Sequence, residues 1–322
     1  MHKIYPWQQN QWQQLIARYN NENLPHSLLL TGQSGLGKTS FALALAELLL
    51  CERPNYQACG ICRSCKLMQA SSHPDFKLIE PDDKIIKIEQ IRGIVEMVNK
   101  KAHQNKYQVI LIKPAHAMNV AASNALLKTL EEPQGTVMII LVTDKPSLLL
   151  ATIRSRCQRI IFNTPTKGVA EDYLKQQTTQ ISKTDLLLAL AENAPLRALN
   201  LIDADNMQQR EQIFKNFASL LLNKINPIEF AKICLNIELP ITLYYLQVCL
   251  YDIIKIKFNV DNKFLLNIDK IDQLQNLASL INLKDLFRYS DQLTEFNGYI
   301  DNNLNKRLML ENIAISGINY VS

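Results

Sequence analysis

Residues 32–39 read Gly32-Gln33-Ser34-Gly35-Leu36-Gly37-Lys38-Thr39, the G-x-x-x-x-G-K-[ST] spacing of a phosphate-binding loop. Each residue type has a job in that chemistry. Glycines let the backbone turn its amides inward on an anion, Lys38 reaches the β- and γ-phosphates, and Thr39 offers a hydroxyl to magnesium. Three of the nine glycines in the chain fall in this short window. Gly32, Gly35, Gly37, Lys38 and Thr39 are therefore the expected contacts to ATP or ADP.

Hydrolysis needs more than a loop. A P-loop ATPase requires an acid at the end of a later strand to hold magnesium, and usually a second carboxylate to polarise the attacking water. The natural strand here is Gln108-Val109-Ile110-Leu111-Ile112, and it runs into Lys113-Pro114-Ala115-His116. A lysine repels the metal and a proline activates no water. His116 reads as structural, and Glu131-Glu132 as a solvated helix end. The site is expected to hold nucleotide and to lack its hydrolytic half.

A second constellation is Cys59-Gly60-Ile61-Cys62-Arg63-Ser64-Cys65, with Cys51 eight residues earlier. Four thiolates at this spacing suit a closed tetrahedral site, which makes Cys51, Cys59, Cys62 and Cys65 expected ligands of a structural Zn²⁺. Arg53, Arg63 and Lys66 would offset the surplus negative charge. Cys157, Cys234 and Cys249 stand apart and read as core residues.

The elements that must position these groups follow from periodicity. Ser27–Thr31, 76–80, Gln108–Ile112, Val137–Thr143 and 159–162 read as strands, separated by helical patterns such as 39–50, 119–131 and the Ile88, Ile91, Val95, Val98 repeat. Strand–helix alternation predicts a parallel five-stranded sheet covered on both faces. After the turn-rich segment 163–168 the chain turns helical, with Asn193-Ala194-Pro195 as a break and helix start. The overall expectation is α/β plus all-α, in three parts. Residues 1–165 form the nucleotide-binding-type domain with its zinc module at 51–65, residues 166–205 a small helical lid, and residues 206–322 a helical collar.

Composition sets the outer limits. Of 322 residues, 47% are hydrophobic and 20% charged, which excludes general disorder, and the net charge of +5 is too mild for a stand-alone DNA binder. Apolar runs such as 137–142 and 186–190 are too short to span a bilayer, so no membrane is expected as a partner. The opening Met1-His2-Lys3-Ile4-Tyr5-Pro6-Trp7 has no secretory h-region, and a cytoplasmic location is expected.

Taken in order, the loop 32–39, the cysteines after the first helix, Ala125-Leu126-Leu127-Lys128-Thr129-Leu130-Glu131-Glu132-Pro133 and Ser155-Arg156-Cys157 resemble the bacterial clamp-loader branch of the AAA+ ATPases. Tyr5-Pro6-Trp7 and His73-Pro74-Asp75 strengthen the likeness. Two subunit types in that branch carry this set, a gamma/tau motor and a stator that hydrolyses poorly. The motor has Asp-Glu where this chain has Lys113-Pro114, and it is longer at the C-terminus, so the resemblance is to the stator. It implies that Arg156 is an arginine finger acting on a neighbouring subunit's ATP, that Thr143 occupies the first sensor position, and that Arg197 occupies the second. The implied partners are gamma/tau and delta subunits in a hetero-pentamer, and through them the sliding clamp and primed DNA of the DNA polymerase III holoenzyme. Two alternatives remain open at this point. One is an active gamma/tau-type ATPase; the other is a zinc-containing nucleic-acid-binding module, against which stands the single aromatic, Tyr56, between Cys51 and Cys65.

Overall fold

The structure, a computed structural model, describes residues 2–98, 107–133, 135–178, 184–202, 204–299 and 305–319. It divides into two compact units, Met1–Pro165 and Thr166–Ser322.

In the first unit, β1 (Ser27–Thr31), β2 (Phe76–Ile79), β3 (Gln108–Ile112), β4 (Val137–Thr143) and β5 (Gln158–Ile161) form one sheet in the order β2-β3-β4-β1-β5. All four pairings are parallel. Every residue of β1, β3 and β4 is buried, which is why those segments are near-continuous aliphatic runs instead of alternating ones. Leu29, Ile110, Ile112, Ile139 and Leu141 face a core shared with α4 (Ile88–Val98) and α5 (Val120–Glu131). On another part of the same unit, Phe41 of α2 (Lys38–Leu50) meets Trp12 of α1 (Gln9–Asn20) and Phe162 edge-on, at 5.4 and 5.0 Å. The expected strands are all present, with β5 displaced by one residue. Helix α5 is capped by Asn119, whose side chain accepts from the amide of Ala122.

The consequence for chemistry is positional. In the parallel register Thr31 pairs with Thr143, so the loop after β1 and the segment after β4 leave the sheet side by side at its C-terminal edge. This is the edge at which open α/β sheets bind ligands.

Among its described residues the second unit has helices joined by turns and loops, and no strand. Helices α7 (Lys167–Gln177), α8 (Thr184–Leu190) and α9 (Pro195–Asn200) enclose a small core of Ala170, Leu174, Leu187, Leu188, Ala191 and Ala198. Pro195 sits at the first position of α9, where its missing N–H costs nothing. A larger core lies among α10 (Ala204–Leu221), α11 (Pro227–Cys234), α12 (Leu239–Lys257), α13 (Ile271–Leu280), α14 (Leu283–Tyr299) and α15 (Lys306–Asn319), centred on Phe217, Phe230, Leu246, Leu250, Tyr289 and Ile313. Leu201 packs against both cores, and the Tyr244 hydroxyl donates to the carbonyl of Leu190. Helix α12 has the length and mean hydropathy, 1.3, of a membrane span, but half of it is buried within the protein. It carries Leu243, Leu246, Leu250 and Ile253 into the core, together with a fully buried Asp252.

Asp252 is satisfied locally. It accepts from the amides of Leu266 and Asn267 and from the Asn267 side chain, at 2.7–3.1 Å. Asn267 in turn accepts from Arg210, whose guanidinium forks onto Asp269 at 2.5 and 2.9 Å. The network ties the loop before α13 to α10 and α12.

Candidate functional site: a phosphate loop without an acidic strand end

Gly32, Gly35 and Gly37 have φ of +142°, +82° and +79°, backbone geometry that only glycine adopts without strain. Gly37 caps α2, so the first amides of the helix open toward the loop. Lys38 is buried, and its ammonium donates to the carbonyls of Gly32 and Gln33 at 2.6 Å each. Burial lowers its pKa, and the nearby carboxylate of Asp144 opposes that shift. Thr39 lies half-buried in the first turn of α2.

The opening residues of the chain brace this loop. Trp7 Nε1 and Gln8 Nε2 both donate to the carbonyl of Leu36, at 3.0 and 2.8 Å, and the ring of Tyr5 lies against Gly37. Tyr5 and Trp7 stack with centroids 5.0 Å apart. No spacing rule pointed to this contact, because the strap and the loop are about thirty positions apart in sequence.

At the end of β3, Lys113 Nζ pairs with Glu80 Oε1 at 3.1 Å, and the Lys113–Pro114 peptide is cis. His116 follows in a 3₁₀ turn, Ala115–Ala117. Its Nδ1 lies 2.9 Å from Thr143 Oγ1 and 3.4 Å from Asp144 Oδ1. Thr143 is buried, and its Oγ1 also accepts from the amide of Lys145. Thr143, His116, Asp144 and Lys38 are thus gathered at one edge of the sheet. Asp144, the residue after Thr143, was missed in the sequence; its adjacency to the sensor position was the available signal.

Arg156 ends a short helix, α6 (Ala151–Arg156), just before β5. Its main-chain carbonyl accepts from Ser27 Oγ at 2.8 Å, which fastens the segment to β1. The guanidinium donates through Nη1 to the Thr152 carbonyl at 3.1 Å and pairs through Nη2 with Glu131 Oε1 at 2.5 Å. Glu131 is the half-exposed last residue of α5, as expected, and is in addition a partner of Arg156. Arg197 lies in the second unit. There it pairs with Glu192 at 3.4 Å and stacks its guanidinium 4.3 Å over the Tyr244 ring.

The cysteines converge as their spacing predicts. The Sγ atoms of Cys51, Cys59, Cys62 and Cys65 all lie within 4.8 Å of one another, a group that could hold a metal ion. A tetrahedral tetrathiolate site with metal–sulfur bonds of about 2.3 Å places sulfurs about 3.8 Å apart. Cys59 and Cys65 are 3.9 Å apart. Amides of Arg53 and Cys59 donate to Cys51, that of Cys62 to Cys59, and that of Cys65 to Cys62, the pattern that stabilises thiolates. Backbone amides of Ile61 and Cys62 hold the Cys59 thiol down to about 6, whereas burial pushes Cys51 and Cys65 up. The donor set and geometry fit a closed tetrahedral centre. Cys157, Cys234 and Cys249 are buried elsewhere.

A parallel sheet in this order, a phosphate loop at its C-terminal edge, a cysteine module after the loop's helix and a Ser-Arg-Cys segment at the end of α6 define a clamp-loader-type AAA+ subunit. Family models agree. Residues 7–166 match the family described as DNA polymerase III, delta subunit, and residues 204–317 match its C-terminal family. The delta' subunit of DNA polymerase III from Pseudomonas aeruginosa is 34% identical over 322 residues, covering 98% of this chain and 97% of that one. The subunit of the same name from Haemophilus influenzae is 37% identical over 67% of each chain. That from Escherichia coli K12 is 36% identical over 66% of this chain and 65% of its own. The chain belongs to the DNA polymerase III delta' family of clamp-loader subunits.

Proposed function

We propose that this subunit acts in DNA replication as the stator of a clamp loader: it hydrolyses ATP poorly and supplies Arg156 in trans to a neighbouring subunit's ATP. One observation carries the reading. Where β3 should deliver acids to magnesium and water, it delivers Lys113, engaged by Glu80, and Pro114. A P-loop site without those acids retains affinity but loses the metal and base that turnover requires. The Arg156 guanidinium, by contrast, lies at the surface with a third of its side chain accessible. A guanidinium there can stabilise charge on a phosphoryl group held by another chain.

The partners in this reading are gamma/tau and delta subunits in a hetero-pentamer, with the sliding clamp and primed DNA engaged through the complex in the cytoplasm. Residues 166–205 serve as lid and 206–322 as collar. Gly32, Gly35, Gly37, Lys38 and Thr39 hold ATP or ADP, with Thr143 and Arg197 as sensors, and Cys51, Cys59, Cys62 and Cys65 hold a structural Zn²⁺. The zinc stabilises its own module and takes no part in phosphoryl transfer.

The test is reconstitution with gamma/tau and delta. Arg156→Ala should lower DNA-stimulated ATP turnover by about 10³-fold at the site it serves. Lys38→Ala should leave turnover near normal. The opposite pattern would establish an intrinsic motor.

A further inference from the structure

We infer that Glu131 holds the Arg156 guanidinium in reserve, so that the finger engages a neighbour's phosphate only when that phosphate displaces the Glu131 carboxylate. The inference rests on the finger reading above and adds a positioning residue to it.

Both terminal nitrogens of Arg156 are occupied within its own chain. Nη2 pairs with Glu131 Oε1 at 2.5 Å, while Nη1 donates to the Thr152 carbonyl at 3.1 Å and to Ser155 Oγ at 3.4 Å. Glu131 and Arg156 come from different helices: Glu131 is the last residue of α5, and Arg156 the last of α6. The guanidinium is therefore laid against α5 and does not extend freely from the surface.

A phosphate cannot share Nη2 with Glu131 without setting two anions against one another, so engagement and the internal pair exclude each other. The exchange is nevertheless an easy one. Glu131 is 48% exposed and Arg156 35%, and a pair so open to solvent is weak. A γ-phosphate carries more charge than a carboxylate and offers three oxygens to the planar fork of an arginine. The internal pair thus sets a low threshold. A loosely apposed neighbour does not cross it, and a correctly docked one does.

A merely structural role for the pair is the competing account, since a cation favours the C-terminus of α5, where Glu131 alone is unfavourable. The two accounts differ in what they move. Helix capping shifts the melting temperature and leaves a partner's kinetics alone. A reserve contact shifts the partner's kinetics and leaves melting nearly unchanged.

The experiment uses the complete clamp-loader complex with Glu131→Gln, Arg156→Ala and the double variant, and reads ATP turnover without clamp or DNA alongside DNA-stimulated turnover. Glu131→Gln should raise the unstimulated rate about two- to fivefold, the range a pair of this exposure allows, with a lower half-saturating ATP concentration. The rise should shrink as salt is added and vanish in the Arg156→Ala background. An unstimulated rate that is unchanged or lower in Glu131→Gln, with Arg156→Ala still defective, overturns the reserve role and leaves the finger standing. Normal turnover in Arg156→Ala overturns both. Assembly of each variant is checked by sizing, and Glu131→Ala, which also removes the hydrogen-bonding group, must move the rate in the same direction.

Discussion

Substituting Gly32 with alanine separates two reasons for keeping glycine in the phosphate loop. A Cβ at this position would lie 2.3 Å from the carbonyl oxygen of Phe162 and 3.1 Å from its Cβ, and the residue sits at φ +142°. The oxygen is main-chain, and Phe162 is buried with its amide bonded to Thr31, so neither neighbour gives way cheaply. Overpacking costs about 1–3 kcal/mol and a forced backbone conformation about 1–3 kcal/mol, so Gly32→Ala should lose roughly 2–6 kcal/mol in the absence of any nucleotide. With a urea dependence of about 2 kcal/mol per molar, the midpoint of the sheet unit falls by about 1–3 M. Two controls bracket the result. Gly135→Ala has positive φ, +67°, but open space around it, and should lose only about 1 kcal/mol. Gly93→Ala lies in α4 with nothing nearby and should gain about 0.5–1 kcal/mol. Urea unfolding followed by tryptophan fluorescence measures all three, since Trp7 and Trp12 both belong to this unit. A Gly32→Ala loss within 0.5 kcal/mol of Gly135→Ala, on the order of measurement error, would refute the packing argument. The outcome bears on function, because a loop glycine required by Phe162 is retained whether or not nucleotide binds.

Three further outcomes are expected. Lys38→Ala should abolish tight nucleotide binding measured by calorimetry while changing stability little, because it removes the only ammonium seen bonding inside the loop among the described residues. Cys62→Ser should reduce zinc bound per chain, measured by atomic absorption, and speed amide exchange in α3 (Arg63–Gln69), whose N-cap is the Cys62 side chain. Arg210→Ala should destabilise the helical unit by about 3 kcal/mol in thermal or urea unfolding, since it leaves buried Asn267 and the Asp269 carboxylate without their donor. The same pair fixes a pH response. Burial raises the Asp269 pKa, but the Arg210 hydrogen bond and charge outweigh it and hold the carboxyl below its usual value. A depressed folded-state value means stability that is present above about pH 4 and lost as pH falls through the folded pKa. Melting curves should show a smaller acid loss in Arg210→Ala than in the parent.

Much of the site was legible because its signals are local. A loop that must bend its amides around an anion needs glycine at set positions, and a tetrahedral thiolate site needs cysteines a knuckle turn apart; both patterns survive in one stretch of chain. The strands were legible for the same reason, as sheet buried on two faces leaves unbroken aliphatic runs such as Val137–Thr143. The end of β3 could be read too, since Lys113 and Pro114 follow a strand that the pattern itself defines. Helices α1 and α6 were not read: α6 is only six residues long, whereas α1 does place Trp12, Leu15, Ile16 and Tyr19 at helical spacing, a signal present in the sequence among its glutamines.

What the tertiary structure alone decided are the contacts between residues far apart in the chain. Sequence supplied Arg156 and Glu131 separately, 25 positions apart, and only the packing of α5 beside α6 made them a pair. The same holds for Trp7 and Gln8 on the Leu36 carbonyl, for His116 between Thr143 and Asp144, and for Arg210 reaching Asp269 across 59 residues. Hydrophobic periodicity specifies which face of an element turns inward, but it carries no record of which polar tips meet at the surface. Those meetings are fixed by sheet order and helix docking, which arise only when the whole chain closes on its core.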